Sequence, residues 1–327
     1  MNHIDPRAWP VLPAVEEWQD TYVTVHMWLQ IVGKVRLELS PWVNHSWGST
    51  LYLTPRGLTT SPIHQGGRAF AIDFDFVDHA LRIQSSTGEA RSFALPGLSV
   101  AQFYERTFAA LGELGISVEI LARPVEVAEA IPFASDHGHA SYDADAMARV
   151  WRAMTRAEPV FAKFRARFTG KVSPVHFFWG AFDLAVTRFS GRPAPKHPGG
   201  APNCADWVMQ EAYCRELSSA GFWPGMGLGE AAFYSYAYPA PAGFAEAAVL
   251  PGEAYYHAAL GEFVLPYDAV RRAPDPEGAL LSFLQSTYEA AATLARWERS
   301  VLEVDGPPAR RALPPLIGDA RRTGRET

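Results

Sequence analysis

The run GKVSPVHFFWGAFDLAVTRFSGR, from Gly170 to Arg192, holds His176, Asp183 and Arg188 among phenylalanine, tryptophan and aliphatic residues. An imidazole in such company suits general-base catalysis or metal ligation, with its tautomer set by a neighbour. The competing reading is a core histidine bonded to backbone. Taken as one regular strand, the run puts His176 and Arg188 on one face and Asp183 on the other. The predicted site is therefore the His176 face, with His176, Arg188 and Glu216 as catalytic candidates.

The loop that follows, SGRPAPKHPGGAPN, brings Arg192, Lys196 and His197 beside Gly199 and Gly200. Cations next to glycines suit a phosphate or carboxylate. In AFYSYAYP the period of two aligns Tyr234, Tyr236 and Tyr238 on one strand face, a polar aromatic wall. Arg192, Lys196, His197, Tyr234 and Tyr236 are the predicted ligand-binding residues. His137 and His139, in ASDHGHASYD, have a spacing that suits one metal ion on an extended segment, with Asp136 and Asp143 as further donors. They are the only metal candidates, and a solvated linker explains them as well. His26 in VHMW reads as a packed histidine. The absence of GxGxxG, GxxxxGK[ST], GxSxG, HExxH, SxxK and DxDxDG argues against the dinucleotide, P-loop and several hydrolase and calcium chemistries. No cofactor is named by the residues.

The elements that must position these groups are legible in the hydrophobic pattern. A chain of 327 residues with 48% hydrophobic and 13% aromatic content can fill a large core. Val15, Trp18, Tyr22, Val25, Leu29 and Val32 recur at helical spacing, and Gly33 is predicted to stop that helix. Phe70, Ile72, Phe74 and Phe76 alternate as in a half-buried strand, SSTGE reads as a hairpin turn, and ISVEILA reads as a closing strand. Ser99 with Gln102 predicts a capping box ahead of a helix over 103–114. A helix with Pro159 near its first turn follows, and Asp275-Pro276 opens a long final helix.

The chain also resembles itself. Gly33-Lys34-Val35 matches Gly170-Lys171-Val172, and His45 with Trp47, Gly48 and Arg56 matches His176 with Trp179, Gly180 and Arg188. AFAIDFDF matches AFYSYAYP, and FYERTFAA matches FLQSTYEA. The predicted fold is α+β: two homologous halves, each helix, antiparallel sheet, helix, related by a pseudo-twofold. The expected organisation is a first half over 9–127, a linker over 128–139, a second half over 140–302 with elaborated Pro/Gly-rich loops, and a flexible tail over 303–327.

VHMWLQIVGKVRLELSPWVNH, GLTTSPI, SPVHFFWGAFDLAVTRFSGRPAPKHPGG and SSAGFWPG together resemble a bacterial family filed as a domain of unknown function, number 5996. The likeness runs to about Arg299. It implies no activity, cofactor or catalytic residue, and Arg215 stands where the family pattern has His.

The net charge of −6 gives no footprint for nucleic acid. No stretch is apolar enough for a membrane span, and with only Cys204 and Cys214 a reducing cytoplasm is expected. The functional expectation is a small-molecule enzyme acting on an anionic metabolite, at a cleft mostly in the second half. The alternatives are a non-catalytic binder of small anions and a structural or assembly protein. Oligomeric state is not legible.

Overall fold

The first helix does not stop at Gly33. In the computed structural model, which describes residues 8–304, it runs from Val15 to Leu39 (α1), and every residue from Thr24 to Val35 is buried, on all faces of the helix. A helix buried all round is a central one. Trp28 stacks on Phe103 at 5.0 Å on one side, while Tyr22 packs on Phe182 at 4.7 Å on the other. Gly33 has a packing role: an ideal Cβ there would sit 2.3 Å from Cγ of Trp179, so only glycine lets the indole lie against the helix. Gly33→Ala should cost about 1–3 kcal/mol despite its better helix propensity, because the ring has to shift in a packed interior. Urea unfolding checks this, and an unchanged midpoint would contradict the close approach.

After a 3-10 turn at Asn44–Ser46 come β1 (Tyr52–Thr54), β2 (Gly57–Thr59), β3 (Ile63–Gln65), β4 (Arg68–Asp75), β5 (Ala80–Ser85) and β6 (Ala90–Ala94). They form one antiparallel sheet in the order β1-β2-β4-β5-β6, with β3 on β4. In β4 the alternation holds: Phe70, Ile72 and Phe74 are buried. Helix α2 (Val100–Glu113) begins at the predicted capping box, Ser99 Oγ accepting from Gln102 N and Gln102 Oε1 from Ser99 N. The predicted strand ISVEILA joins neither sheet.

The predicted linker is packed. Phe133 and Asp136 are buried, and the carbonyls of Asp136 and His139 accept from Ala101 N and Val100 N at the start of α2. Asp143 caps α3 (Ala144–Ala166), a single helix that carries Pro159 in its interior and not in a first turn. Then come β7 (His176–Phe178), β8 (Asp183–Pro193), α4 (Asp206–Ala212), β9 (Arg215–Trp223), β10 (Ala232–Tyr238), β11 (Tyr255–His257), β12 (Glu262–Pro266), α5 (Tyr267–Arg272), α6 (Pro276–Leu294) and α7 (Arg299–Leu302). As expected, Asp275 caps α6 with Pro276 in its first turn. The second sheet is antiparallel in the order β11-β12-β10-β9-β8-β7.

The fold is thus α+β, two six-stranded antiparallel sheets with helices. The sheets meet where Leu51 and Phe177 exchange both backbone hydrogen bonds at 2.9 Å, and one hydrophobic core runs through residues of both. The predicted tail begins at the edge of the described residues. Glu303 accepts from the Tyr288 hydroxyl and pairs with Arg299, and the rest of that tail lies outside the described residues. No helix among the described residues is long and apolar enough to cross a membrane.

Candidate functional site

Cross-strand register decides what shares a face. His176 pairs with Ala185 and Phe178 with Asp183 across a four-residue turn, Trp179 to Phe182. That turn reverses the parity of a single straight strand. His176 and Asp183 therefore lie on one face and Arg188 on the other, the opposite of the expectation. Phe182, with φ of 57°, marks where the chain turns.

The face behind β8 is core. Leu184, Val186 and Arg188 point toward α3 and α6. Arg188 is fully buried, its guanidinium 3.4 Å from the Phe164 ring and 4.2 Å from that of Tyr288, with Nη2 donating to the Phe164 carbonyl. His176 is sealed as well, at 1% exposure. It bonds the Thr50 hydroxyl at 2.9 Å and packs among Trp47, Tyr52 and Phe178, and burial pulls its pKa down to about 3. Neither His176 nor Arg188 lines either of the two large cavities.

Glu216 and Arg192 pair with each other at 2.6 Å, and Arg192 also donates to the Ala295 carbonyl at the end of α6. This contact ties β8 and β9 to a helix and stands apart from both large cavities. Lys196 is exposed, and His197 stacks on Tyr213 at 4.7 Å without lining either cavity. His137 is exposed, whereas His139 bonds Asp136 at 2.7 Å. The two histidines do not belong to a metal-capable cluster; among the described residues that geometry occurs at His45, Glu211 and Cys214, whose ligand atoms lie within 4.8 Å of one another. There His45 is already engaged, Nδ1 with the Ala212 carbonyl and Nε2 with Lys171 Nζ at 2.7 Å. The ammonium of Lys171 fills the place a metal would take at that nitrogen.

The open face of the second sheet carries Asp183 and Ala185 of β8, Ser219 of β9, and Tyr234 and Tyr236 of β10, and α1 with the segment after α2 roofs it. Two cavities, of about 690 and 530 Å³, share Glu126, Gly180, Asp183, Tyr213, Tyr234 and Tyr236. Tyr234 and Tyr236 thus line both cavities. Asp183 is at the junction. Its Oδ2 accepts from the Tyr234 hydroxyl, and its Oδ1 is buried with no partner. Gly221 makes that bond possible, since a Cβ there would lie 2.4 Å from Tyr234 Oη and 2.5 Å from the Leu184 carbonyl.

Two further carboxyls converge on the same space. Glu262 enters from β12. Glu126 is held by a clamp: buried Gln30 of α1 both donates to and accepts from the Val125 backbone at 2.8 Å, and Glu126 N donates to Pro202 O. This fixes Glu126 at φ of 60°, a left-handed conformation that costs a non-glycine residue about 1–3 kcal/mol. His26 Nε2 donates to Gly180 O at 2.9 Å, and burial lowers its pKa to about 4, so the ring is neutral.

Burial dominates the electrostatics. It raises Asp183 to about 7, opposed by the Tyr234 bond and reinforced by Glu126. It raises Glu262 to about 7, with the Asp183 charge adding to it, and raises Glu126 against the pull of Lys34. Tyr213 is pushed up to about 12 by burial, and burial also raises Tyr234 and Tyr236 well above the ordinary phenol value, so the phenols remain neutral. Carboxyls titrating near neutrality inside a cavity are suited to proton transfer. An anionic ligand does not suit this lining, because it would meet carboxyl groups at the junction where the sequence led us to expect His176 and Arg188.

Sequence reasoning set Asp183 aside and missed Glu126, Glu262 and Tyr213. The signal for Asp183 was present: an acid in a run of apolar strand residues is costly and seldom kept without a role. Nothing comparable marks Glu126, which depends on Gln30 ninety-six positions upstream in the chain.

A family model matches residues 9–304 of the chain, and its description is Family of unknown function (DUF5996). No curated protein and no solved structure matches it.

Proposed function

The chain belongs to the DUF5996 family, and from its geometry we propose that it is a small-molecule enzyme whose acid–base group is Asp183. One observation carries this reading: Asp183 Oδ1 is buried and unpartnered at the junction of two cavities while Oδ2 is fixed by Tyr234. An oriented carboxyl with one oxygen free can take a proton from a bound molecule and return it. Tyr234 is the positioning residue, and Glu262 holds a second exchangeable proton nearby. The cleft is built by both halves, its floor from the second sheet and its roof from α1 and Glu126.

The test compares wild type with Asp183→Asn in a metabolite extract, followed by mass spectrometry between pH 6 and 8. A compound consumed by wild type alone supports the assignment. Retention of a compound without its consumption moves the protein to the class of binders, and identical profiles for both proteins refute the site.

We also propose that the halves arose by duplication, with a pseudo-twofold between them. A helix, six antiparallel strands and a closing helix recur in each half and support this, although α4 interrupts the second set of strands and the two sheets differ in strand order. The supposed equivalents have diverged: Arg56 is half exposed and paired with Asp75, while its counterpart Arg188 is sealed in the core.

A further inference from the structure

Resting on the reading of the Asp183 cavity as a small-molecule site, we propose that its ligand is an organic ammonium ion with an apolar tail. The charged nitrogen lies among Asp183, Glu126 and Glu262, and the tail leaves through the second cavity toward Trp42 and Trp207.

The larger cavity is lined by five acids, Glu126, Glu129, Asp136, Asp183 and Glu262, and by no lysine or arginine among the described residues. Asp136 already pairs with His139, but Asp183 Oδ1 has no partner, and an N–H donor is what a buried carboxylate oxygen lacks. A bare divalent metal is disfavoured by spacing. Among the described residues Asp183, Glu126 and Glu262 do not form a set with ligand atoms within 4.8 Å of one another, so the nitrogen bonds Asp183 Oδ1 directly and the other two carboxyls act on it through their charge. The remaining wall suits one: Tyr22, Tyr213, Tyr234, Tyr236 and Trp223 offer ring faces and edges of the kind that hold ammonium groups. The cavity volume is that of a small-molecule pocket.

The second cavity explains the tail. Leu37, Trp42, Leu121 and Trp207 line it while remaining 37%, 48%, 67% and 56% exposed, and the two indoles approach to 5.5 Å. Exposed apolar side chains gathered at one mouth mark a contact surface. They lead inward past Trp179 to the same Asp183 junction. The one lysine of this passage, Lys34, is buried, lies 5.7 Å from the Trp179 ring and favours the charged form of Glu126.

The experiment is calorimetric titration of the full chain at pH 8 with three molecules of one skeleton: 2-phenylethylamine, 2-phenylethanol and phenylacetate. The amine should bind at least tenfold more tightly than the other two. Asp183→Asn and, as a second variant, Glu262→Gln should each weaken it at least tenfold with the far-UV dichroism unchanged. Trp207→Ala should weaken phenylethylamine but leave tetramethylammonium unaffected. If the alcohol or the acid binds as well as the amine and Asp183→Asn abolishes that binding, the cation assignment fails and the site stands. If the amine binds equally to wild type and both carboxyl variants, the site itself fails. No binding of either ammonium probe at millimolar concentration overturns the cation assignment.

Discussion

Asp183→Asn should make the folded protein more stable at pH 8, by on the order of 4 kcal/mol, while removing its response to ligand. In the unfolded chain this carboxyl has its ordinary value of 3.8, and in the fold burial raises it to about 7. Below about pH 4 both states hold the proton, so the native preference is fully present. As the pH rises from about 4 to 7 the unfolded chain releases the proton and the fold retains it, so stability falls across that window and stays low above it. At about 1.4 kcal/mol per pH unit, the rise from 3.8 to about 7 gives the stated magnitude. Glu262 acts in the same direction, Glu126 and Lys34 face Asp183 with opposite charges, and neutral His26 and the phenols of Tyr22, Tyr213, Tyr234 and Tyr236 complete its surroundings. Denaturant unfolding of both proteins between pH 4.5 and 8.5 checks this. The difference between the two curves isolates Asp183 from other acids such as Asp75, whose paired carboxylate contributes in the opposite sense. Parallel curves would show that Asp183 is not the buried acid described above. A residue that destabilises its own fold is what a selected site looks like.

Arg188→Ala should cost about 3–5 kcal/mol, close to the truncation of a large aromatic core residue. The guanidinium fills the space between Phe164, Phe168 and Tyr288, and its removal leaves a cavity among these rings and takes one of two donors from the Phe164 carbonyl, which keeps Arg167 N. Arg188→Met should cost far less. Methionine occupies most of the same volume, and it removes Nε and Nη1, which have no partner in the native core. Thermal melts rank the two variants, and ligand binding by the methionine variant should match wild type. An alanine variant that melts normally, or a folded methionine variant that fails to bind, would return Arg188 to the site.

These two residues also show what the sequence can carry. Periodicity within one element survived: Phe70, Ile72 and Phe74 point inward, Ser99 and Gln102 cap α2, and Asp275 caps α6. Errors arose where a distant partner decides. Gly33 looks like a helix stop until Trp179 is seen lying on it. Pro159 looks like a helix start, yet α3 is nucleated by the Asp143 cap well upstream. For His176, Asp183 and Arg188 a straight-strand count gives the wrong faces, because the four residues of the turn invert it. Tyr234 and Tyr236 were recognisable because both lie on one uninterrupted strand, whereas Glu126 and Glu262 reach the cavity from unrelated segments.

The seam at Leu51 and Phe177 has a consequence for solubility. β1 and β7 are the outermost strands of their sheets, and an outermost strand presents free N–H and C=O groups that can template pairing with another chain. The bridge between Leu51, just before β1, and Phe177 of β7 meets that demand within the molecule at one residue pair of each margin. The remaining margins are poor templates: β11 is three residues long, and β6 carries Arg91, tied to Glu113. Joining the sheets at this pair therefore removes one point at which another chain could add a strand.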